Sequence, residues 1–142
     1  AYLTAVGHTH PYSGVVAALD ALKGAGHSMG ICTNKPMAPC MAVLDHLALT
    51  PYFATVWGGD SLSVHKPDPA PLHAAFDALG QGPKIYVGDS EVDAETAQRA
   101  GVVFLLYTEG YRKTPVIEVP HTAAFNDFAQ LPALVAKYAS NV

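Results

Sequence analysis

A chain of 142 residues, of which 50% are hydrophobic and 14% charged, can bury the core of one domain, which excludes a disordered polymer. The formal net charge is −4, from 8 Lys and Arg against 12 Asp and Glu, and no basic run stands out, so we expect no nucleic-acid partner. The chain has neither a signal peptide nor an apolar run that could cross a bilayer, and we expect a cytoplasmic protein without a membrane partner. The two cysteines, Cys32 and Cys40, match no metal or redox spacing and are expected to be thiols.

Residues 1–10 are polar and aromatic, and we interpret them as a connector ahead of a domain over 11–142. Within that domain, segments with apolar residues at helical spacing alternate with short apolar runs that are typical of strands. The spacing predicts helices over 13–23, 36–48, 70–79, 91–100 and 131–139. The apolar runs predict strands over 29–33, 52–57, 84–87 and 102–107, with a short edge strand over 121–125.

This alternation predicts βαβ units and therefore a Rossmann-like α/β fold, with a parallel sheet flanked by helices. In such sheets, ligands bind beyond the carboxyl ends of the strands. Thr33, Asp60 and Asp89 all fall at or just after predicted strand ends. We therefore expect three separate motifs to converge on one edge of the sheet.

The most informative motif is Gly88–Asp93, with the sequence GDSEVD, directly after an apolar run. A strand followed by two carboxylates four residues apart, Asp89 and Asp93, is a common way to hold Mg²⁺ beside a phosphate. The alternative is purely structural. Asp89 would then be a helix N-cap, and Asp93 would be a first-turn charge that complements the helix dipole.

Lys66 lies in the sequence HKPDP, in which two prolines restrict the backbone around it. A cation fixed in this way can neutralise a phosphate and a carboxylate nucleophile together. The alternative is an ordinary solvated lysine in a surface loop.

Thr33, Asn34 and Lys35 follow a predicted strand and precede a helix that begins near Pro36. A hydroxyl and backbone N–H groups at a helix N-terminus form a ready phosphate site. Simple helix capping by Thr33 or Asn34 is the alternative interpretation.

In order and spacing, these three motifs resemble the second, third and fourth motifs of the haloacid dehalogenase-like hydrolases. More narrowly, the sequence GGDS at 58–61 and the pair Tyr52-Phe53 are similar to those of bacterial phosphoglycolate phosphatases. The resemblance runs from about Pro11 to Leu134. It implies a magnesium-dependent phosphomonoester hydrolase for a small phosphorylated metabolite. Phosphoglycolate is favoured, and sugar phosphates and pyrophosphate remain open.

The resemblance also implies a role for each matching residue. Thr33 would hydrogen-bond the transferring phosphoryl group, and Lys66 would steady the nucleophile and the phosphate charge. Asp89 would bind Mg²⁺, and Asp93 would complete the metal's shell or orient its waters. The residues expected to border the substrate are Asn34, Lys35 and, as a weaker candidate with an ordinary loop carboxylate as the alternative, Asp60.

The chain departs from this family in one respect. The family begins with a strand ending in Asp-x-Asp-Gly-Thr, whose first Asp forms an aspartyl-phosphate and whose second Asp is the general acid and base. The 142 residues contain no such motif. Residues 1–10 are therefore interpreted as the remnant of the family's helical cap and hinge. The parent protein would be the enzyme, and this chain alone would be inactive. The alternative is an inactive remnant that binds phosphate or magnesium, or serves as an assembly module.

The missing strand would lie between those that end at Thr33 and Gly88, so its loss would expose two strand edges. Each apolar side chain of a central strand contributes roughly 1.5–3 kcal/mol on burial. The whole stability of a domain is only about 5–15 kcal/mol. We therefore expect an N-terminal segment or a partner chain to complete the sheet.

Overall fold

Helices and strands alternate along the part of the chain that the computed structural model describes, which comprises residues 2–3, 15–33, 37–46, 48–58, 61–63, 66, 68–80, 82, 84–108 and 118–139. The strands are β1 (Tyr2–Leu3), β2 (Gly30–Cys32), β3 (Thr55–Trp57), β4 (Ile85–Gly88), β5 (Val103–Tyr107) and β6 (Ala123–Phe125). The helices are α1 (Val15–Gly24), α2 (Met37–His46), α3 (Ala70–Leu79), α4 (Glu91–Ala100) and α5 (Leu131–Ala139).

Every described strand pair is parallel, which confirms the predicted parallel α/β fold. β1, β4, β5 and β6 form one sheet in that order, and β2 and β3 form a second. In register, Ile85 of β4 lies opposite Val103 of β5, and Leu105 lies opposite Ala123 of β6. The parallel order places the carboxyl ends of β4 and β5 at the same edge.

The two sheets meet where the sequence predicts a missing strand. β1 pairs with β4 over only two residues, and β2 pairs with β3 alone among the described strands. β1 is an element that the sequence pattern did not indicate, because residues 1–10 were expected to form a connector. Residues 4–14 lie outside the described part of the chain, so the boundary at residue 10 stays a prediction.

The core has one layer on each face of the sheets. Alternation along β4 sends Ile85 and Val87 to one face and Tyr86 to the other, as the two-residue period of a strand requires. The first layer packs against α1, α2 and α5, and its buried residues include Leu19, Leu44, Leu105, Leu131 and Val135. The second layer packs against α3 and α4, and its buried residues include Leu72, Phe76, Ala94, Ala97 and Leu106.

One predicted strand boundary needs refinement. The strand expected over 52–57 begins only at Thr55, because Thr50–Tyr52 form a 3₁₀ helix with a proline in its first turn. Cys32 and Cys40 are both buried thiols outside any disulfide, as expected. Within the described residues, no helix is both long enough and apolar enough to span a membrane.

Candidate functional site

The candidate site lies at the carboxyl edge of the sheets, where β2 runs into Thr33 and β4 runs into Asp89. The loop that carries Lys66 precedes α3, and α4 begins three residues after Gly88. Parallel strands deliver their carboxyl ends to one edge, so separate chain segments meet there. The structure therefore gathers the predicted motifs around the start of α4.

Ser90 is the N-cap of α4. Its Oγ accepts a hydrogen bond from the Asp93 backbone N–H at 3.2 Å and donates to Asp93 Oδ2 at 3.0 Å. One hydroxyl thus satisfies an orphan donor of the helix and orients the carboxylate. The alternative interpretation of Asp89 as the N-cap is wrong, because the next residue has that role. At the other end, Gly101 adopts φ 72°, a left-handed conformation that ends the helix.

Lys66 and Asp93 form a buried ion pair. Lys66 Nζ lies 2.5 Å from Asp93 Oδ1, and the two residues are only 7% and 3% exposed. The interpretation of Lys66 as a solvated surface lysine is therefore wrong. A charge held this far from water is expected only with a partner, since an unpaired buried ion is very costly. The two residues are 27 positions apart in the sequence, so no local sequence pattern could identify the pair.

The Asp93 carboxylate is held on both oxygens. Oδ1 faces Lys66, while Oδ2 accepts from Ser90 Oγ and from the backbone N–H of Asp89 at 3.2 Å. Burial alone raises the pKa of this carboxyl, but the Lys66 ammonium and these hydrogen bonds outweigh burial and bring the pKa below its ordinary value of 3.8. Asp93 is therefore a carboxylate at neutral pH, and it links Lys66 to the backbone of Asp89.

Tyr86 joins this network from β4, and its role was not predicted from the sequence. Its hydroxyl lies 2.9 Å from Lys66 Nζ, 3.1 Å from Asp93 Oδ1 and 3.3 Å from the carbonyl oxygen of Cys32. The available signal was a phenol inside an otherwise apolar strand that leads into the motif. A buried hydroxyl needs a hydrogen-bond partner, so its position predicts a polar group nearby.

Two acidic residues at the start of α4 have carboxylate oxygens that suit a metal ion. Asp89 is half-buried directly after β4. Glu91 Oε2 is buried and has no hydrogen-bond partner among the described residues, which is unusual for a carboxylate oxygen. The described residues contain no group of three or more His, Cys, Asp or Glu that could hold a metal. Mg²⁺ commonly takes only one or two protein carboxylates, with waters and substrate oxygens completing its shell, so Asp89 and Glu91 fit that cation.

Of the remaining predicted site residues, the structure describes Thr33 alone. Thr33 is half-buried at the end of β2, and its backbone N–H donates to the Trp57 carbonyl at 3.0 Å, which continues the pairing of β2 with β3. The carbonyl oxygen of the preceding residue, Cys32, contacts the Tyr86 hydroxyl. Thr33 therefore directly follows a residue of this hydrogen-bond network. The residues that lie outside the described part of the chain are Asn34, Lys35 and Asp60.

These contacts define what the site can do chemically. A buried ammonium offers fixed positive charge without needing to reorganise water, which suits an anion whose charge grows during reaction. The half-buried carboxylate of Asp89 and the unpartnered oxygen of Glu91 provide acceptors for a hard cation. The described residues thus combine a buried cation with carboxylate oxygens of the kind that Mg²⁺ prefers.

Comparisons with known proteins agree with this chemistry. Residues 2–107 match the family model described as haloacid dehalogenase-like hydrolase. The chain is 50% identical over 124 residues to the phosphoglycolate phosphatase of Rhodobacter capsulatus, and 44% identical over 122 residues to that of Rhodospirillum rubrum. These matches cover 87% and 84% of this chain.

A solved structure of a similar protein has the same fold as this chain. The crystal structure of a predicted phosphoglycolate phosphatase from Haemophilus somnus superposes with a TM-score of 0.82 at 32% identity, covering 87% of this chain and 56% of that one. The chain likewise spans only 57% and 51% of the length of the Rhodobacter capsulatus and Rhodospirillum rubrum relatives. By sequence and by fold, this chain belongs to the haloacid dehalogenase-like hydrolase family.

Proposed function

We propose that this chain forms the phosphate-binding and metal-binding part of a magnesium-dependent phosphomonoester hydrolase that acts on phosphoglycolate. The observation that carries the proposal is the buried Lys66–Asp93 pair beside Asp89 at the carboxyl edge of the sheets. Phosphoryl transfer depends mainly on positioned positive charge, and this pair supplies it. Relatives at 44–50% identity that carry the name phosphoglycolate phosphatase support the choice of substrate.

In this proposal, Lys66 offsets the charge of the nucleophile and the phosphate, and the Thr33 hydroxyl donates to the transferring phosphoryl group. The nucleophile is an aspartate outside the 142 residues. Its carboxylate oxygen bonds to phosphorus as the ester P–O bond breaks, and the departing alcohol oxygen takes a proton from a general acid. Water then attacks phosphorus, which releases inorganic phosphate and restores the carboxylate. The proposed substrate-side residues are Asn34, Lys35 and Asp60.

Asp89 is the proposed direct ligand of Mg²⁺, which would supply further positive charge to the phosphate oxygens. The two oxygens of Asp93 already bind Lys66, Ser90 and the Asp89 backbone, and this favours an orienting role for Asp93 over direct ligation. Glu91, whose Oε2 is buried without a partner among the described residues, would accept a hydrogen bond from the water shell of the metal. The proposed metal set is therefore Asp89 directly, with Asp93 and Glu91 acting behind it.

The sheet itself supports a second part of the proposal. Among the described strands, β2 and β4 belong to separate sheets, and on that side β4 pairs with the two residues of β1 alone. We propose that a strand from a preceding segment or from a partner chain joins these sheets and brings the nucleophile. β1 already pairs with part of β4 and contacts β2, so such a strand would extend or replace this short pairing. The edge of β2, which pairs with β3 alone among the described strands, is a template for the addition.

The catalytic proposal is tested in the intact natural protein, with phosphate release from phosphoglycolate measured across a magnesium titration. Wild-type protein is expected to require magnesium and to prefer phosphoglycolate over a sugar phosphate or pyrophosphate. Asp89→Asn and Lys66→Ala are expected to lower kcat by at least about 100-fold, comparable to other losses of a preorganised charge. The matched control is Glu95→Gln on the same helix, whose side chain is 46% exposed and whose partner among the described residues is Arg99 at the surface.

Magnesium binding measured by calorimetry separates the metal role from turnover. Asp89→Asn is expected to abolish binding and Glu91→Gln to weaken it, with Glu95→Gln unchanged. Full activity of Asp89→Asn, or activity without magnesium, would contradict the proposal. Magnesium binding without any phosphate release by the natural protein would instead support an inactive binding module.

The completing strand is tested by the intact mass and the oligomeric state of the natural protein. A mass above 14.9 kDa, with stronger hydrogen-exchange protection of β2 and β4 than in the 142-residue chain, would support a preceding segment. A mass of 14.9 kDa together with a dimer would support a partner chain. A monomer of that mass would contradict both.

A further inference from the structure

Tyr86 is a fully buried residue at the centre of the candidate site, and packing alone does not explain its hydroxyl. The ring lies in the second core layer, 6.0 Å between centroids from Phe104. Phenylalanine would fill the same space without introducing a polar group that must be satisfied. The hydroxyl nevertheless contacts Lys66, Asp93 and the carbonyl of Cys32.

The contact with Lys66 is a hydrogen bond at the polar end of the ring. Lys66 Nζ lies 2.9 Å from the hydroxyl oxygen but 5.6 Å from the ring centroid, so the ammonium is beside the hydroxyl and not over the ring face. Since an ammonium can only donate, the Tyr86 oxygen accepts from it. Lys66 is thereby held between two acceptors, the hydroxyl of Tyr86 and Oδ1 of Asp93.

Two acceptors that the structure describes lie within reach of the single hydroxyl proton of Tyr86. Asp93 Oδ1 lies 3.1 Å away and the Cys32 carbonyl 3.3 Å away. A charged acceptor makes the stronger hydrogen bond, so the proton favours Asp93. If Asp93 is drawn toward another charge, the hydroxyl can donate to Cys32 and still accept from Lys66.

The Cys32 contact also bridges the gap in the sheet. Cys32 ends β2 and Tyr86 lies in β4, and these strands belong to separate sheets. The hydroxyl therefore connects the residue before Thr33 to the lysine and to the helix that follows Asp89. It joins the three motifs of the site through one atom.

We propose that Tyr86 is a positioning residue: its hydroxyl fixes the Lys66 ammonium against Asp93 and ties the end of β2 to the site. It acts through Lys66 and does not touch the substrate. The role in turnover rests on the proposed phosphatase function, whereas the fixing of the ammonium does not. The two are therefore tested separately.

The first test uses Tyr86→Phe, which removes the hydroxyl and keeps the ring. In the intact natural protein we expect kcat for phosphoglycolate to fall about tenfold, as the loss of one hydrogen bond to a charged group gives, with KM changed less than about twofold. In a Lys66→Met background, Tyr86→Phe should cause no further loss, because Tyr86 acts through the lysine. The matched control is Tyr52→Phe, which removes a different tyrosine hydrogen bond, to Asp20.

The second test does not need enzymatic activity. NMR of the lysine ¹⁵Nζ groups should show a slowly exchanging Lys66 ammonium in the wild-type protein, close to the Tyr86 ring. The signal should be lost or shifted in Tyr86→Phe and retained in Tyr52→Phe. A wild-type Lys66 ammonium in fast exchange with water would overturn the proposal even if Tyr86→Phe failed to fold.

The two tests separate the proposals. If the wild-type protein releases no phosphate but the Lys66 signal depends on Tyr86, the phosphatase function fails and the positioning role stands. If the wild type is active and Tyr86→Phe keeps both wild-type kcat and the Lys66 signal, the positioning role fails. Additive losses in the Lys66→Met background would also count against it.

Discussion

Gly88 and Asp93 are packed so closely that position 88 has no room for a side chain. A Cβ built on Gly88 would lie 2.5 Å from Asp93 Oδ2 and 2.6 Å from its Cβ. The backbone of Gly88 is not in a left-handed conformation, so glycine is required here for space and not for flexibility. The absence of a side chain at Gly88 thus leaves room for the Asp93 carboxylate to pair with Lys66.

Gly88→Ala is therefore expected to displace the Asp93 carboxylate and to lower the free energy of unfolding by about 1–3 kcal/mol, as overpacking does elsewhere. Urea unfolding monitored by circular dichroism measures this loss. Gly24→Ala is the control, because a Cβ on Gly24 meets nothing within 4 Å. Equal stability of the two variants would show that the space around Asp93 is not limiting.

Removing one member of the Lys66–Asp93 pair is expected to destabilise the protein by about 3–5 kcal/mol, because the other charge stays buried after its counter-ion is lost. Lys66→Met and Asp93→Asn provide the measurement, again by urea unfolding. Glu95→Gln should cost less than about 1 kcal/mol, since its pair with Arg99 is exposed. The double variant Lys66→Met/Asp93→Asn should lose less than the sum of the two single changes.

Stability should fall in acid because Asp93 has a pKa below 3.8 in the folded protein. A lowered pKa means that the unfolded state binds the proton more readily. Asp93 therefore makes its full contribution to the free energy of unfolding when the pH is above the ordinary pKa. This contribution is lost as the pH falls through the pKa of Asp93 in the folded protein. The difference in unfolding free energy between wild type and Asp93→Asn should be constant from about pH 7 to about pH 5 and shrink toward about pH 3. A difference that does not vary with pH would contradict this assignment.

The Cys32 thiol should resist modification in the native protein. Burial raises its pKa to about 11, so the reactive thiolate is scarce at about pH 8, and the residue is 0% exposed. Labelling with an aromatic disulfide reagent should modify neither Cys32 nor the buried Cys40 before unfolding, and both afterwards. Rapid native labelling of Cys32, located by peptide mass spectrometry, would contradict its burial.

The sequence predicted the elements of the fold because their signals are local. Helical spacing of apolar residues marks α3 and α4, and short apolar runs mark β4 and β5, without reference to distant residues. The N-cap of α4 is a local signal of the same kind, because a serine directly before a helical run favours capping, as Ser90 does here. Alternation of strands and helices was also enough to predict that Thr33 and Asp89 lie at the ends of parallel strands.

Only the tertiary structure decided how these residues are used. The sequence left Lys66 either as a solvated lysine or as a fixed cation, and burial against Asp93 excludes the first. Partners for Tyr86 lie 20 and 54 residues away at Lys66 and Cys32, so no local pattern could identify them. Hydrogen bonds and ion pairs across a sheet depend on three-dimensional distance, and packing sets that distance. Spacing along the chain therefore predicts the elements, whereas their packing determines the partners of a buried charge.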